Sequence, residues 1–252
     1  MLKDRFSIRF PPSEPDRKSQ DEEFCILNQN GEEKCIRLHD YPTIYGIPGL
    51  YEYLFCERLE YRSPEVVISL LLDQISKSSS LISDLSVLDV GAGNGIVGEA
   101  LRWRGVKHIV GIDIVPEAAW AAQRDRPGTY DEYYVEDLQN LSPDTKKKLR
   151  ARDFNCMVSV GALGFGDIPS SAFVQAYKLI IDQGWIAFNI NEKFMQGGDR
   201  SGFSFLIKQM IDEGSIEVRV NHRYQHRLST SGVSIFYIAL VGKKRNELNP
   251  AM

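Results

Sequence analysis

The chain has 252 residues, and its 30 lysines and arginines against 34 aspartates and glutamates give a formal net charge of −4. Hydrophobic residues make up 43% and charged residues 25% of the sequence, as in folded globular proteins, which excludes a disordered chain, a collagen-like repeat and a coiled coil. The acidic balance disfavours general nucleic-acid binding, because such binding depends on neutralising phosphate groups.

The sequence also bears on compartment and metal content. Its longest apolar run, at residues 66–72, is far shorter than the roughly 20 residues that a membrane span needs, and the N-terminus lacks the apolar core of a signal peptide. The four cysteines have no CxxC spacing, which favours reduced thiols over disulfides or a zinc site. We expect a cytoplasmic protein with no metal ion and no membrane attachment, either a monomer or a homodimer.

The N-terminal quarter differs in character from the rest. We expect the first 40 or so residues to be poorly folded by themselves, with a flexible, proline-rich and charged lead at 11–23. Asn30-Gly31 lies between two short apolar runs and predicts a β-hairpin. Residues 41–62 are rich in aromatic side chains, either because a helix packs them on the core or because they form a lid over a ligand. We assign residues 1–63 to an N-terminal extension and lid, 64–245 to the main domain and 246–252 to a tail.

From residue 63 onward the pattern is one of alternating helices and strands. Ser63-Pro64-Glu65 is typical of a helix start, and this helix should run to about Lys77. Strands are predicted at 85–90, 107–113, 132–137, 154–161 and 185–191, and helices at 96–104, 116–125, from Ser142, 171–182 and 204–213. The alternation predicts a mainly parallel sheet covered by helices on both faces. The last two strands, 215–225 and 233–243, are joined by a short turn and must be antiparallel.

The most informative segment is the glycine-rich turn in VLDVGAGNGIVG, residues 87–98. Glycines between a buried strand and a helix let the backbone turn sharply and let a ligand approach the main chain. Residues 93–98 also satisfy the GxGxxG dinucleotide fingerprint, and Asp113 follows Gly93 by 20 residues, as a ribose-binding acid should. The spacing alone therefore leaves a nicotinamide cofactor open.

The charge of the predicted site distinguishes a ligand that carries phosphate from a ligand that carries a positive charge. Asp89, Asp113 and Asp137 lie at or near the ends of three successive strands and should meet at one rim of the sheet. A pyrophosphate would face like charge there, whereas a cation would be attracted. Asp113 can accept two ribose hydroxyls, and Asp137 is placed to bind an exocyclic amine. The rim favours a positively charged nucleoside without phosphate, and S-adenosylmethionine has those features.

The segment DVGAGNG, residues 89–95, resembles the DxGxGxG signature of class I S-adenosylmethionine-dependent methyltransferases, and the likeness extends over roughly residues 64–243. It implies a Rossmann-like three-layer α/β/α sandwich, with a seven-stranded, mainly parallel sheet in the order 3-2-1-4-5-7-6 and strand 7 antiparallel. It also implies S-adenosyl-L-methionine as cofactor and S-adenosyl-L-homocysteine as product. The Gly-Ala-Leu element at 161–163 is similar to that of the Williams–Beuren-region methyltransferase-like family, which suggests a small stand-alone enzyme.

The resemblance assigns roles to individual residues. The amino-acid end of the cofactor would be lined by Asp89, Gly91, Ala92, Gly93 and Gly95. Asp113 and Ile114 would hold the ribose and flank the adenine, Asp137 and Leu138 would meet the adenine, and Gly161 and Ala162 would lie near the transferable methyl group.

The acceptor is less well defined. Residues 161–169 lack the Asn/Asp-Pro-Pro-Tyr/Phe motif of methyltransferases that modify DNA bases or glutamine, so we expect a small-molecule acceptor and in-line displacement. Its site or lid would use Tyr45, Tyr51, Phe165 and Asn191, with His39 as the candidate general base. Two other functions stay open: a nicotinamide-dependent oxidoreductase, and a catalytically idle S-adenosylmethionine-binding partner subunit.

Overall fold

The computed structural model describes residues 6–11, 20–165, 167–195 and 202–248. The chain begins with a three-stranded antiparallel sheet of β1 (Ser7–Arg9), β2 (Phe24–Gln29) and β3 (Glu32–Arg37), in that order. The β2–β3 connection is Asn30-Gly31, and both residues have a positive φ (54° and 85°), as the tightest hairpin turns require. The predicted hairpin is confirmed.

This small sheet has a core of its own. Cys25 and Leu27 from β2 and Ile36 from β3 pack with Leu50 and Leu54 from the segment that follows. Within the whole chain β2 and β3 form because the alternating buried positions of β2 find apolar partners further along the chain, and poor folding of this part by itself stays a prediction. Residues 12–19 of the predicted flexible lead lie outside the described residues.

Three helical elements connect this sheet to the main sheet. They are α1 (Tyr41–Gly46), a π-helical stretch (Glu52–Arg58) and the long helix α2 (Ser63–Ser76). The Asp40 carboxylate accepts a hydrogen bond from the Thr43 N–H (3.3 Å) and so caps α1. Proline stands in the first turn of both α1 and α2, where its missing N–H costs nothing.

The main sheet has seven strands, and its order is β6-β5-β4-β7-β8-β10-β9. Only β10 runs antiparallel to its neighbours, pairing with both β8 and β9. Numbered from the first strand of this sheet, the order is 3-2-1-4-5-7-6, as predicted. The strands are β4 (Ser86–Val90), β5 (His108–Asp113), β6 (Glu132–Val135), β7 (Phe154–Ser159), β8 (Ile180–Asn191), β9 (Ile216–Leu228) and β10 (Ser234–Lys244).

Helices cover both faces of this sheet, which makes it the middle layer of an α/β/α sandwich. On one face α2 and α3 pack on Val87 and Val158, and on the other α6 and α7 pack on Leu88 and Met157. Adjacent residues of one strand therefore pack into hydrophobic cores on opposite faces of the sheet, because side chains alternate along a strand. The remaining bounds are α3 (Ile96–Trp103), α4 (Pro116–Asp125), α5 (Pro143–Arg150), α6 (Ser170–Lys178) and α7 (Phe203–Asp212). None of the helices in the described ranges is long and apolar enough to span a membrane.

Three predicted boundaries need correction. The helix expected at 171–182 ends at Lys178, and β8 begins at Ile180 rather than at Trp185. Ile180 pairs with Phe154 of β7, and the irregularity around Gln183 (φ 65°) then restores the register before Trp185. The third strand of the sheet is shorter than predicted and ends at Val135, ahead of Asp137.

A buried ion pair fastens the N-terminal segment to the main sheet. The Arg227 guanidinium of β9 donates to the Glu23 carboxylate at 2.6 Å, and these residues are only 2% and 5% exposed. The second carboxylate oxygen of Glu23 accepts the Thr230 N–H at 2.6 Å. Removing one partner would leave the other charge buried and uncompensated.

We therefore expect Glu23→Gln to lower the free energy of unfolding by about 3–5 kcal/mol, measured by urea denaturation. Glu33→Gln breaks the exposed Arg9–Glu33 pair (2.9 Å) in the same small sheet and is the matched control, with a loss below about 1 kcal/mol. Equal losses in the two variants would contradict the anchoring role of Glu23.

Candidate functional site

A cavity of about 340 Å³ lies at the carboxyl ends of the central parallel strands, between the main sheet and the N-terminal segment. This is where open α/β sheets bind their ligands, and the volume is in the range of small-molecule sites. Most of the predicted site residues line it, namely His39, Tyr45, Tyr51, Gly91, Ala92, Gly93, Asp113, Ile114, Asp137, Leu138, Gly161 and Ala162.

The glycine turn after β4 forms the floor of this cavity. The N–H groups of Gly91 and Ala92 both donate to the Ile112 carbonyl, which ties the turn to β5. Gly93 has a φ of 54°, and a Cβ added there would lie 2.5 Å from the Tyr45 hydroxyl oxygen. Both the conformation and the close approach of Tyr45 therefore require glycine.

Asp113 joins the turn after β4 to the turn after β5. One carboxylate oxygen accepts the Gly93 N–H (2.9 Å) and the other accepts the Val115 N–H (3.0 Å). Burial raises the pKa of this carboxyl, and the backbone hydrogen bonds oppose the rise. Each oxygen keeps a further lone pair for a ligand hydroxyl.

Asp89 does not line the cavity, contrary to expectation. It is fully buried beneath the glycine turn, where one oxygen accepts the Tyr130 hydroxyl (2.7 Å) and the other has no hydrogen-bond partner among the residues that the structure describes. Burial raises the pKa of Asp89 to about 7, although the hydrogen bond from Tyr130 favours the charged form. Asp89 thus supports the turn from below. Gly95 also lies off the cavity: its φ of 87° serves the start of α3.

Asp137 lines the cavity, but its carboxylate is already engaged. One oxygen accepts the Gln139 N–H and the other accepts the Asn140 side-chain amide, both at 2.8 Å. The Gln139 N–H, followed by the Asn140 amide, lowers the pKa of this carboxyl. These two bonds are those of a local turn. Asp137 could accept the predicted hydrogen bond from an exocyclic amine of a ligand only through a lone pair that they leave free.

Two acidic residues of the cavity were missed by the sequence reasoning. Glu136 precedes Asp137, and Asp167 lies in the loop after β7. Both follow strand ends at the same edge of the sheet, a position that could have suggested them. The lining therefore holds four carboxylates, from Asp113, Glu136, Asp137 and Asp167, and contains no lysine or arginine among the residues described. Such a lining attracts a cation and disfavours a phosphate.

His39 and Asp167 form a pair at one wall of the cavity. The His39 Nδ1 lies 3.2 Å from one Asp167 carboxylate oxygen and 3.4 Å from the other. Both side chains are largely shielded from solvent, and the His39 ring packs against Tyr41 and Phe165. A carboxylate at Nδ1 fixes the orientation of the ring and leaves Nε2 for a ligand.

Tyrosines of the N-terminal segment cover the cavity. Tyr41, Tyr45 and Tyr51 form a stack with centroid separations of 5.7 and 5.4 Å, and Tyr61 reaches Gly161. These rings also pack on the apolar cores of α1 and α4. The interpretation that these rings pack on the core is therefore confirmed, and the same rings border the cavity; that they form a lid over a ligand stays a prediction. Burial raises the pKa of all four phenols well above the ordinary value.

Two predicted acceptor residues lie elsewhere. Phe165 (φ 52°) lines a smaller recess next to the cavity rather than the cavity itself. Asn191 is buried at the end of β8, where its amide donates to Gln20 (2.8 Å) and its oxygen accepts the Lys193 N–H (2.9 Å). The N-terminal segment, whose position no local pattern predicts, covers the side chain of Asn191. In the described part of the chain no group of three or more His, Cys, Asp or Glu side chains could hold a metal ion.

The raised pKa of Asp89 predicts a pH dependence of stability. Folding keeps a proton on this carboxyl that the unfolded chain, with an ordinary pKa of 3.8, loses. This contribution is complete below about pH 4 and is lost as the pH rises through about 7. We expect the stability of Asp89→Asn relative to the unmodified protein to increase from pH 4 to pH 8, by at most about 4 kcal/mol at ~1.4 kcal/mol per pKa unit.

Urea denaturation of the two proteins at several pH values tests this. Tyr130→Phe removes the hydroxyl that favours the charged form of Asp89, so it should enlarge the loss of stability at high pH. A stability difference between Asp89→Asn and the unmodified protein that does not change with pH would contradict the argument.

Comparisons with known proteins agree with this geometry. A family profile described as a methyltransferase domain matches residues 59–201. The fold is similar to that of an S-adenosylmethionine-dependent methyltransferase from Clostridium acetobutylicum, with a TM-score of 0.53 and 14% identity over 78% of this chain and 97% of that one. It is also similar to the N-methyltransferase NodS from Bradyrhizobium japonicum in complex with S-adenosylhomocysteine (TM-score 0.50, 15% identity, 72% and 87% coverage). No curated protein sequence matches the chain significantly.

A third similar structure is the magnesium protoporphyrin IX methyltransferase from Synechocystis with bound S-adenosylhomocysteine (TM-score 0.50, 14% identity, 72% and 82% coverage). At such identities these structures show a shared fold. The family profile covers more than half of the sequence, and it includes the glycine turn, Asp113 and Asp137. The chain therefore belongs to the class I S-adenosylmethionine-dependent methyltransferase family.

Proposed function

We propose that this protein transfers the methyl group of S-adenosylmethionine to a small-molecule acceptor by in-line displacement. The observation that carries the proposal is the covered cavity on the glycine turn, with four carboxylates and no lysine or arginine among its described lining residues. The sulfonium cofactor of the family has a net positive charge and suits this lining. The pyrophosphate of a nicotinamide cofactor would meet repulsion here, which argues against an oxidoreductase.

The residues present fit the cofactor. The main chain of Gly91, Ala92 and Gly93 would lie along its amino-acid end, and the free lone pairs of Asp113 would accept the ribose hydroxyls. Ile114 and the largely buried Leu138 offer apolar contacts for the adenine. When bound, the cofactor supplies a methyl group already activated on a sulfonium, so the protein's task is mainly alignment and exclusion of water.

The cover supports a small acceptor. Tyr41, Tyr51 and Tyr61, all only partly exposed, line both the cavity and the smaller recess, so they enclose both spaces on the side of the N-terminal segment. A polymer substrate needs an open groove, whereas a small molecule can be enclosed. The buried phenols stay protonated at neutral pH, because their pKa values are raised, and can serve as hydrogen-bond donors.

His39 is the proposed general base. Its Nδ1 is held by Asp167, so the free Nε2 can take a proton from an acceptor in the adjoining space. Asp167 then stabilises the imidazolium that forms. The four free cysteines are consistent with a reducing compartment, and we extend the proposal to a cytoplasmic location.

Asp113→Ala tests the cofactor site. The variant removes the carboxylate that accepts ribose hydroxyls and orders the glycine turn, so the dissociation constant for S-adenosylhomocysteine should rise roughly 10- to 100-fold in calorimetry. Asp73→Ala, on the exposed surface of α2, is the matched control and should bind like the unmodified protein. Equal affinity for the Asp113 variant would overturn this assignment.

His39→Gln and Asp167→Asn test the base. Each should lower kcat by about 100-fold, while the dissociation constant for S-adenosylhomocysteine, which has no sulfonium charge, stays within about twofold. The assay follows S-adenosylhomocysteine release over a panel of small phenols, alcohols, amines and thiols, and uses the best acceptor found. His108→Gln, on the exposed start of β5, is the control. Cofactor binding without turnover across the panel would favour an idle binding subunit instead.

A further inference from the structure

A recess of about 30 Å³ adjoins the cavity on the far side of Gly161. His39, Tyr61, Gly161 and Asp167 line both spaces. The recess is large enough for a water molecule or a single small polar group and too small for a ring. Because the resemblance puts Gly161 next to the transferable methyl, the recess begins where an acceptor atom must lie.

His226 of β9 lines this recess and has one unpaired ring nitrogen. The residue is only 4% exposed, its ring stacks on Tyr237 at 3.7 Å, and its Nδ1 lies 2.7 Å from the Ser63 hydroxyl. No other hydrogen bond to this ring is made within the described ranges, which leaves Nε2 free. Burial lowers the pKa of His226 well below the ordinary value, so the imidazole is neutral.

A chain of buried hydrogen bonds ties His226 to Gly161. The Asn189 side-chain oxygen accepts the Gly161 N–H at 2.7 Å, and its amide nitrogen donates to Ser63 (2.9 Å) and Tyr224 (2.7 Å). Ser63 in turn contacts the His226 Nδ1. The imidazole is therefore held in a fixed position relative to the site of the methyl group, as a group that orients a substrate must be.

The charges around the recess disfavour an anionic acceptor group. The Arg227 guanidinium lines the recess, but it already donates hydrogen bonds to the Glu23 carboxylate (2.6 Å) and the Leu228 carbonyl (2.7 Å). The Asp167 carboxylate is paired with the His39 ring. An anion would find no unpaired cation among the described lining residues. A neutral amine needs no base while it attacks, whereas a hydroxyl does, and a carboxylate-backed histidine suits the hydroxyl.

We propose that this recess is the acceptor subsite, that it takes an uncharged hydroxyl group, and that the Nε2 of His226 hydrogen-bonds that hydroxyl. The inference rests on the proposed function and deepens it. In the transfer the hydroxyl oxygen forms a bond to the methyl carbon, the carbon–sulfur bond breaks with its electron pair left on sulfur, and the hydroxyl proton passes to the Nε2 of His39.

The chain has four histidines, which makes the histidine NMR spectrum a direct test. His39 and His226 line the recess, whereas His108 and His222 are exposed and act as internal controls. With ¹³C-labelled histidine and saturating S-adenosylhomocysteine, phenol should shift the ring signals of His39 and His226 and leave the other two unchanged. Benzoate at the same concentration carries the same ring with an anionic group and should shift neither.

Two variants test whether the Nε2 of His226 contacts the ligand hydroxyl or the side chain only supports the fold. His226→Asn keeps a polar atom near Ser63 but loses Nε2, and should weaken phenol binding about tenfold. His226→Gln restores a polar atom near the Nε2 position and should recover most of that affinity. Both should bind S-adenosylhomocysteine within about twofold of the unmodified protein, as should the control His108→Asn. Thermal unfolding identifies any variant that fails to fold, and the NMR titration of the unmodified protein needs no variant.

The outcomes distinguish the two proposals. If S-adenosylhomocysteine itself does not bind the unmodified protein, the proposed function fails. If it binds but phenol leaves the His226 signal unshifted, or benzoate shifts the signals of the recess histidines instead, only the hydroxyl subsite is overturned. Equal phenol affinity for His226→Asn and the unmodified protein would likewise overturn the role of Nε2.

Discussion

The site depends on one carboxylate that holds two loops together. Asp113, at the end of β5, accepts N–H groups from Gly93 after β4 and from Val115 after its own strand. The Tyr133 hydroxyl, from β6, donates to the Gly93 carbonyl at 2.8 Å, so three neighbouring strands converge on one glycine. Because these hydrogen bonds hold both the N–H and the carbonyl of Gly93, they set the floor of the cavity before any ligand arrives.

The cover of the site is fastened to the same floor. Glu52, in the π-helical stretch, accepts hydrogen bonds from the Asn94 amide (2.7 Å) and the Arg126 guanidinium (2.8 Å). Arg126 also donates to the Asn94 carbonyl (3.2 Å) and to Glu99 of α3 (3.1 Å). The N-terminal segment is therefore bonded directly to the glycine turn.

Several site features could be read from the chain because they are local. The glycines, the strand-end aspartates and the hairpin at Asn30-Gly31 each depend on a few consecutive residues. The hairpin is present, and of the predicted glycines and aspartates only Asp89 and Gly95 lie off the cavity. Asp167 was missed although it follows a strand end, since a loop acid acquires a role only through its contact with His39, 128 residues earlier. Asn191 was predicted to be an acceptor-site residue because it lies at a strand end. It does lie there, but its side-chain amide is hydrogen-bonded to Gln20, which is distant in the sequence.

By itself, the sequence determined the order of strands and helices, the glycine turn and the acidic character of the site, because periodicity and strand-end position are set by short stretches of chain. The tertiary structure alone decided that Asp89 lies beneath the turn with Tyr130, that the aromatic segment covers the cavity, and that His226 reaches the recess beside Gly161. Each of these depends on contacts between residues tens to hundreds of positions apart. Such contacts arise when separate elements pack to bury their apolar faces, and no local pattern records which elements meet.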